Sequence, residues 1–213
     1  MANIRKPQQK RSITTKNRLE SAAKKLFSIK GFHGTNARDI AEEAGVSVGS
    51  FYSYYEDKKA IFMEIFRKYS EERMLEIIRN IPKDSIKEKQ GVYQIIRAIL
   101  DANELSPEFH REVLALRYTD PEIEDLYQRI HAQSIAIFVE HLRSKENKLR
   151  VKDIEAAAIV VCNASEEVLH SIKTFSTGID DQRLIEALSD MIYQYLFKQT
   201  ALENNKPSPA IDG

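Results

Sequence analysis

Apolar positions recur along this chain at three- and four-residue intervals, and no stretch alternates with the two-residue period of a half-buried strand. The pattern predicts helices throughout. Leu19, Ala22, Ala23, Leu26 and Phe27 set the inner face of a first helix over Ser12 to Lys30, with Gly31 as its stop. Ile40, Ala41 and Ala44 give a short second helix its apolar face, opposite Arg38, Asp39, Glu42 and Glu43. Gly45 then supplies a left-handed residue, Val46 turns the chain inward, and Ser47 is placed to cap a third helix from about Val48. This third helix is a poor core element. Gly49 in its first turn costs roughly 1 kcal/mol against Ala, which points to close approach of a foreign backbone. Ser47, Ser50, Tyr52, Ser53 and Tyr54 spread hydroxyls along it, and only Phe51 and Tyr55, four apart, form an inward stripe.

From Asp57, a predicted N-cap, one long helix is expected to run to about Asn80, with Ile61, Ile65 and Tyr69 on one stripe, Phe62 and Phe66 beside it, and Pro82 as its end. It reads as a rod leading from the short-helix unit into the rest of the chain. Further helical patterns cover Ile86 to Glu104, Pro107 to Tyr118, Pro121 to Ser144, Val151 to about Phe175 and Asp180 to Gln199, with Pro in the first turn as a repeated start signal. Ser176, Thr177 and Gly178 divide the last two. The polar, proline-bearing tail from Glu203 is expected to be disordered.

The ordered residues from about Asn17 to Phe66 resemble the DNA-binding region of the TetR family of bacterial repressors. The resemblance is carried by Lys30-Gly31-Phe32, Gly34-Thr35, Asp39-Ile40-Ala41, Ala44-Gly45-Val46-Ser47, Gly49-Ser50-Phe51-Tyr52, Tyr54-Tyr55 and Lys58. Asn36 and Asp57 depart from it, standing where that family often has Thr or Ser. The resemblance implies an all-α protein: an N-terminal three-helix helix-turn-helix DNA-binding domain, then a larger helical domain for ligand binding and dimerisation. The expected boundaries are 1–12 for a basic arm, 13–58 for the DNA-binding domain, 59–199 for the larger domain and 200–213 for the tail. On the DNA side it implies Thr35, Ser47, Val48, Gly49, Ser50, Tyr52, Tyr54 and Lys58, with Lys58 and Tyr52 at positions of phosphate contact.

Charge changes the picture only through its distribution. The formal net charge is +0, yet Arg5, Lys6, Lys10, Arg11, Lys16 and Arg18 crowd the first 18 residues with no acid among them. Such an arm is either a solvated tail or a phosphate- and minor-groove-binding segment that orders on DNA. The 213 residues are enough for a hydrophobic core burying about 70% of the unfolded surface. A single Cys162 excludes an intramolecular disulfide and suits a reducing compartment. With no run of 18 apolar residues and no apolar stretch at the start, neither a membrane partner nor a signal peptide is expected, and the cytoplasm is the expected location.

Catalytic and metal chemistry find little support. Glu167 and His170 have the Glu-x-x-His spacing of di-iron bundles, but none of His33, His110, His131 or His141 supplies the second copy such a site needs. No cofactor, metal or enzymatic activity is expected, and Cys162 reads as a small core residue. The resemblance implies instead an unknown small-molecule effector held among the middle helices. Candidate contacts are Tyr93, Phe109, His110, Tyr118, Phe138, Cys162, Asn163 and Glu166, aromatic or polar residues on otherwise apolar helices, and the set suits a largely apolar molecule. Small residues on the penultimate helix (Ala156, Ala157, Ala158, Ala164, Ser165) and the apolar face of the last one (Leu184, Leu188, Met191, Ile192, Tyr195) either pack within one subunit or form a symmetric four-helix seam. The second arrangement is preferred, because a homodimer presents two recognition helices about 34 Å apart to the half-sites of a palindromic operator in double-stranded DNA. The reading is a ligand-released repressor; the rival is an all-α small-molecule binding protein without an operator.

Overall fold

The computed structural model describes residues 10–81, 89–101, 106–174 and 177–197. The basic arm over residues 1–9, Pro82, Ile86, Glu104, Phe175, Ser176, Gln199 and the tail from 200 lie outside the described residues. All the regular structure described is helical, apart from one antiparallel bridge between Leu149 and Phe197. No described helix is long and apolar enough to cross a membrane.

The first four helices are α1 (Lys10–Lys30), α2 (Ala37–Glu43), α3 (Val48–Tyr52) and α4 (Lys58–Arg67). Local chemistry sets each boundary. Gly31, at φ +70, donates its N–H to the Phe27 carbonyl and ends α1. Asn36 accepts from the Arg38 and Asp39 amides and caps α2, so this departure from the family pattern keeps the capping function. Gly45, at φ +62, and the Val46 amide, bonded to the Ala41 carbonyl at 2.9 Å, close α2. Ser47 and Asp57 cap α3 and α4 by accepting from the Ser50 and Ala60 amides.

Beyond Arg67 the expected rod is interrupted. Residues Lys68–Met74 wind as a π-helix before α5 (Leu75–Arg79). An i→i+5 turn inserts a residue and shifts the helical phase. Lys68 reaches back to Glu20 on α1 at 2.8 Å, and Ser70 becomes a buried residue. Tyr69 still packs on the same cluster as Ile61 and Ile65, with Ser70 turned inward beside it.

Then follow α6 (Lys89–Asp101), α7 (Pro107–Arg117), α8 (Pro121–Arg143), a 3-10 turn at Glu146–Lys148, α9 (Ile154–Thr174) and α10 (Asp181–Leu196). Two apolar clusters hold these elements. The first joins α1–α4 to Phe109, Val113 and Leu116 of α7 and to Ile123 and Leu126 of α8. Its centre is aromatic: Phe62 stacks on Phe109 with ring centroids 4.8 Å apart and meets Phe27 edge-on at 5.2 Å. Packing is thus continuous across the expected boundary at residue 58. The second cluster gathers α6, the end of α8, α9 and α10 around Leu142, Ala157, Ala158, Ile185 and Leu196. The Leu149–Phe197 bridge and an Arg150 N–H to Leu196 carbonyl bond of 2.8 Å pin the end of α10 to the α8–α9 connection.

Candidate nucleic-acid interface and ligand cavity

α3 is held by one edge. Phe51 is fully buried, and the Tyr55 ring just beyond the helix lies 5.9 Å from it. The Tyr55 hydroxyl donates to Glu20 Oε1 at 2.8 Å; burial, with the Glu20 carboxylate beside it, pushes its ionisation far above the usual tyrosine range, so it stays a donor. Glu20 also accepts two bonds from the Lys68 ammonium. One carboxylate thus ties α1, the end of α3 and the first residue of the π turn together.

The outer edge carries Ser47, Val48, Gly49 and Tyr52, all exposed, with Ser50 beside them and its hydroxyl 2.9 Å from that of Ser47. A Cβ added at Gly49 would meet only the Ser47 hydroxyl, at 3.9 Å, so nothing inside the protein demands glycine there. Three of the expected contact residues face elsewhere. Thr35 is buried and donates its hydroxyl to the Gly31 carbonyl. Tyr54 is half-buried, with its hydroxyl 2.9 Å from that of Ser12. The Lys58 ammonium donates to the Phe32 and Thr35 carbonyls at 2.7 and 2.8 Å and lies over the Phe32 ring, because the tight α1–α2 connection leaves those carbonyls without helical partners. Arg18 donates to the Gly45 carbonyl at the close of α2, and Arg38 stands exposed in the first turn of that helix. Sequence reasoning had assigned these two to the arm and to a solvated face.

A cavity of about 260 Å³ lies between the two clusters. Its walls are Phe66 of α4, Tyr69 and Ser70 of the π turn, an aliphatic face of α6 (Val92, Ile95, Ile96, Ile99), Tyr127 to Phe138 of α8, and Val161 to Lys173 of α9. Of the expected contacts, His110, Phe138, Cys162 and Glu166 line it. The others do not. Phe109 is spent in the aromatic centre of the first cluster, and Tyr93 packs on the second. Tyr118 is 80% exposed beyond α7, with its ring near the Arg117 guanidinium, and Asn163 points outward to bond the His131 ring at 3.0 Å. Reading single aromatic residues found Phe138 but missed the stripe that leads to it, Tyr127, Ile130, His131 and Ser134, whose three- and four-residue spacing was the available signal.

Burial governs the polar groups in this cavity. It pushes the Cys162 thiol up to about 11, so the thiolate of a nucleophile is not formed near neutrality. It raises Glu166 despite the pull of Arg117, and lowers Lys173 to about 8. His110 falls to about 4 through burial and the neighbouring Lys173 and His170 charges. Among the described residues no group of three or more His, Cys, Asp or Glu could hold a metal ion.

The face expected to pair subunits is only partly free. Leu188 and Ile192 are buried within the chain, because they close α10 onto α6 in the second cluster. Leu184 and Tyr195 are half-buried, and Met191 is 48% exposed, joined by Ile159 and Val160 of α9 at 44% and 52%.

Residues 20–65 match the family described as bacterial regulatory proteins, tetR family, and residues 89–196 match the tetracyclin repressor-like C-terminal domain. Among curated relatives, the regulator YdgC of Bacillus subtilis is 36% identical over 73 residues, 31% of this chain and 37% of its own length. BetI of Vibrio vulnificus is 34% identical over 108 residues, 48% of this chain and 46% of its own length. The chain therefore spans less than half the length of these curated relatives. Two solved structures share the fold at a TM-score of 0.71: a TetR-family regulator from Mesorhizobium loti, 17% identical over 89% of this chain and 100% of that one, and a Saccharomonospora viridis regulator in complex with choline, 18% identical over 86% and 98%.

Proposed function

Because the chain belongs to the TetR family of bacterial transcriptional regulators, we propose that it is a homodimeric repressor whose paired α3 helices read a palindromic operator and release it when a small, largely apolar effector fills the cavity. The exposed edge of α3 is the observation that carries the DNA-reading role. Its Ser and Tyr hydroxyls and the Val48 methyls face outward, while Phe51 and Tyr55 fix its orientation. Hydroxyls serve donor or acceptor base edges, and a Val methyl suits a thymine methyl. Lys58 and Thr35 act from within by holding the α1–α2 connection, and Arg18 and Arg38 supply positive charge toward phosphates.

The pairing face combines Ile159 and Val160 of α9 with Leu184, Met191 and Tyr195 of α10. Apolar side chains left open on adjacent helices support a seam there. The effector role rests on the cavity, and the choline complex of the Saccharomonospora viridis regulator supports a small molecule in this kind of fold. Phe66 belongs both to the first cluster and to the cavity wall, and the π turn begins two residues later. A filled cavity therefore presses on the base of the helix-turn-helix through α4 and this turn.

Selection from randomised duplexes with the full chain tests the reading. The expected product is a two-fold symmetric site whose affinity falls steeply with salt. An absence of salt-dependent enrichment would show that the chain is no DNA reader. For the coupling, an effector that lowers operator affinity about tenfold binds the operator complex about 1.4 kcal/mol more weakly, and equal affinities with and without operator would remove the linkage.

A further inference from the structure

We propose that the cavity selects an amphipathic anion, a carboxylate with an apolar body, and seats the carboxylate where α7 begins and α9 ends. The proposal rests on the effector-pocket reading and deepens it. Two polar groupings line the cavity, about 10 Å apart along α9, since Glu166 and Lys173 are separated by two helical turns. The first is already satisfied. Glu166, an acid in the cavity wall, lies 3.5 Å from His131 Nε2, which also meets Asn163 Oδ1 at 3.0 Å, and it feels the Arg117 guanidinium. A ligand cation there would have to displace a partner that the fold supplies.

The second grouping has donors to spare. The His110 and His170 rings stand 5.3 Å apart, with Lys173 in electrostatic reach of His110. His110 Nδ1 is enclosed and, among the described residues, has no hydrogen-bond partner, a condition that costs free energy unless a ligand supplies one. Lys173 is largely desolvated, and among the described residues no carboxylate lies within ion-pair distance of it. Its position in the last turn of α9 favours a positive charge, which a bound carboxylate would then neutralise. Most of the remaining wall is aliphatic and aromatic, with Ser70, Ser134 and Ser165 among it and Ile95, Ile99, Phe66 and Phe138 around the space that an alkyl or ring body would fill. A carboxylate accepting from a desolvated ammonium pairs two opposite charges, whereas an alcohol oxygen accepting from the same group brings no counter-charge, so the carboxylate is held more strongly.

Decanoate, decanol and decyltrimethylammonium, matched in chain length, separate the possibilities by calorimetry on the full chain and on its Lys173→Met and Glu166→Gln variants. The expected order is decanoate tightest, by about tenfold or more over decanol. Lys173→Met should abolish that preference, and Glu166→Gln should preserve it. Tightest binding of the ammonium compound, or a carboxylate preference that survives Lys173→Met, overturns the anion assignment but leaves the effector pocket standing. Binding of none of the three, with the variants folded, overturns the pocket reading itself.

Discussion

Individual side chains in this fold divide between presenting a surface and holding it, and the division makes separable predictions. Gly49 has open space where a Cβ would go, so Gly49→Ala should stabilise the chain by up to about 1 kcal/mol in chemical denaturation while weakening operator binding, as expected if a DNA backbone approaches there. Unchanged affinity would return Gly49 to an incidental role. Lys58→Met should do the opposite. It removes the ammonium donor from the Thr35 and Phe32 carbonyls, the latter keeping only a long bond from the Thr35 amide, costing roughly 1–3 kcal/mol of stability, and leaves the salt slope of DNA binding as it was. A slope reduced by about one unit would instead make Lys58 a phosphate ligand. His110 carries a pH signature. Its folded value of about 4 lies below the unfolded 6.5, so the unfolded chain binds more protons between those values. Its contribution is complete above pH 6.5 and is lost as pH falls toward 4. His110→Phe should therefore flatten the stability profile in that window by about 3 kcal/mol, as read from urea titrations at several pH values. The sequence made the hydroxyl-rich character of α3 plain, but five residues are too few for periodicity to separate exposed Tyr52 from Tyr54, which turns toward Ser12. A lysine bonded to backbone carbonyls leaves no sequence mark at all, since any neighbour can provide a carbonyl.

Among the elements, the sequence was most legible where caps and breakers agree with periodicity. Ser47 and Asp57, read as caps from the sequence, cap α3 and α4, and Asn36, Ser106, Asp120 and Asp180, which that reading did not single out as caps, do the same for α2, α7, α8 and α10. The π turn escaped because the apolar rhythm from Ile61 to Tyr69 is an unbroken helical one, and its tie to another element leaves no local mark: the Glu20 carboxylate on α1 holds Lys68, the first residue of the turn. Replacing Glu20 with its isostere tests that tie. Glu20→Gln keeps the Tyr55 bond but leaves the Lys68 ammonium without its counter-charge, and it should cost roughly 1–3 kcal/mol in denaturant unfolding. Wild-type stability would mean that α1 does not anchor the turn. The cavity was half legible for a related reason. A stripe such as 162, 165, 166, 169, 170 and 173 on α9 shows which residues share a face, but not whether another helix fills the space opposite.

At the scale of the whole molecule, subunit pairing is proposed through side chains that the single chain leaves open. Val160→Glu should dissociate the dimer and leave a folded monomer in sedimentation and circular dichroism, because Val160 is half exposed within its own chain. Leu188→Glu should unfold the chain instead. An intact dimer with Val160→Glu would move the seam elsewhere. The sequence showed the wide apolar face of α10 but not how that face is divided, which depends on α6 lying against Leu188 and Ile192. The aromatic centre formed by Phe27, Phe62 and Phe109 has a consequence for how such proteins can be recombined. A crossover near residue 58 or 65 splices the reading helices of one parent onto the sensing helices of another, and the ring that fills their core then comes from the wrong parent. Hybrids should survive only where the incoming seventh and eighth helices bring side chains that fit this core, one of phenylalanine's size at position 109 among them, so the helix-turn-helix and the larger domain are inherited together unless those contacts are matched.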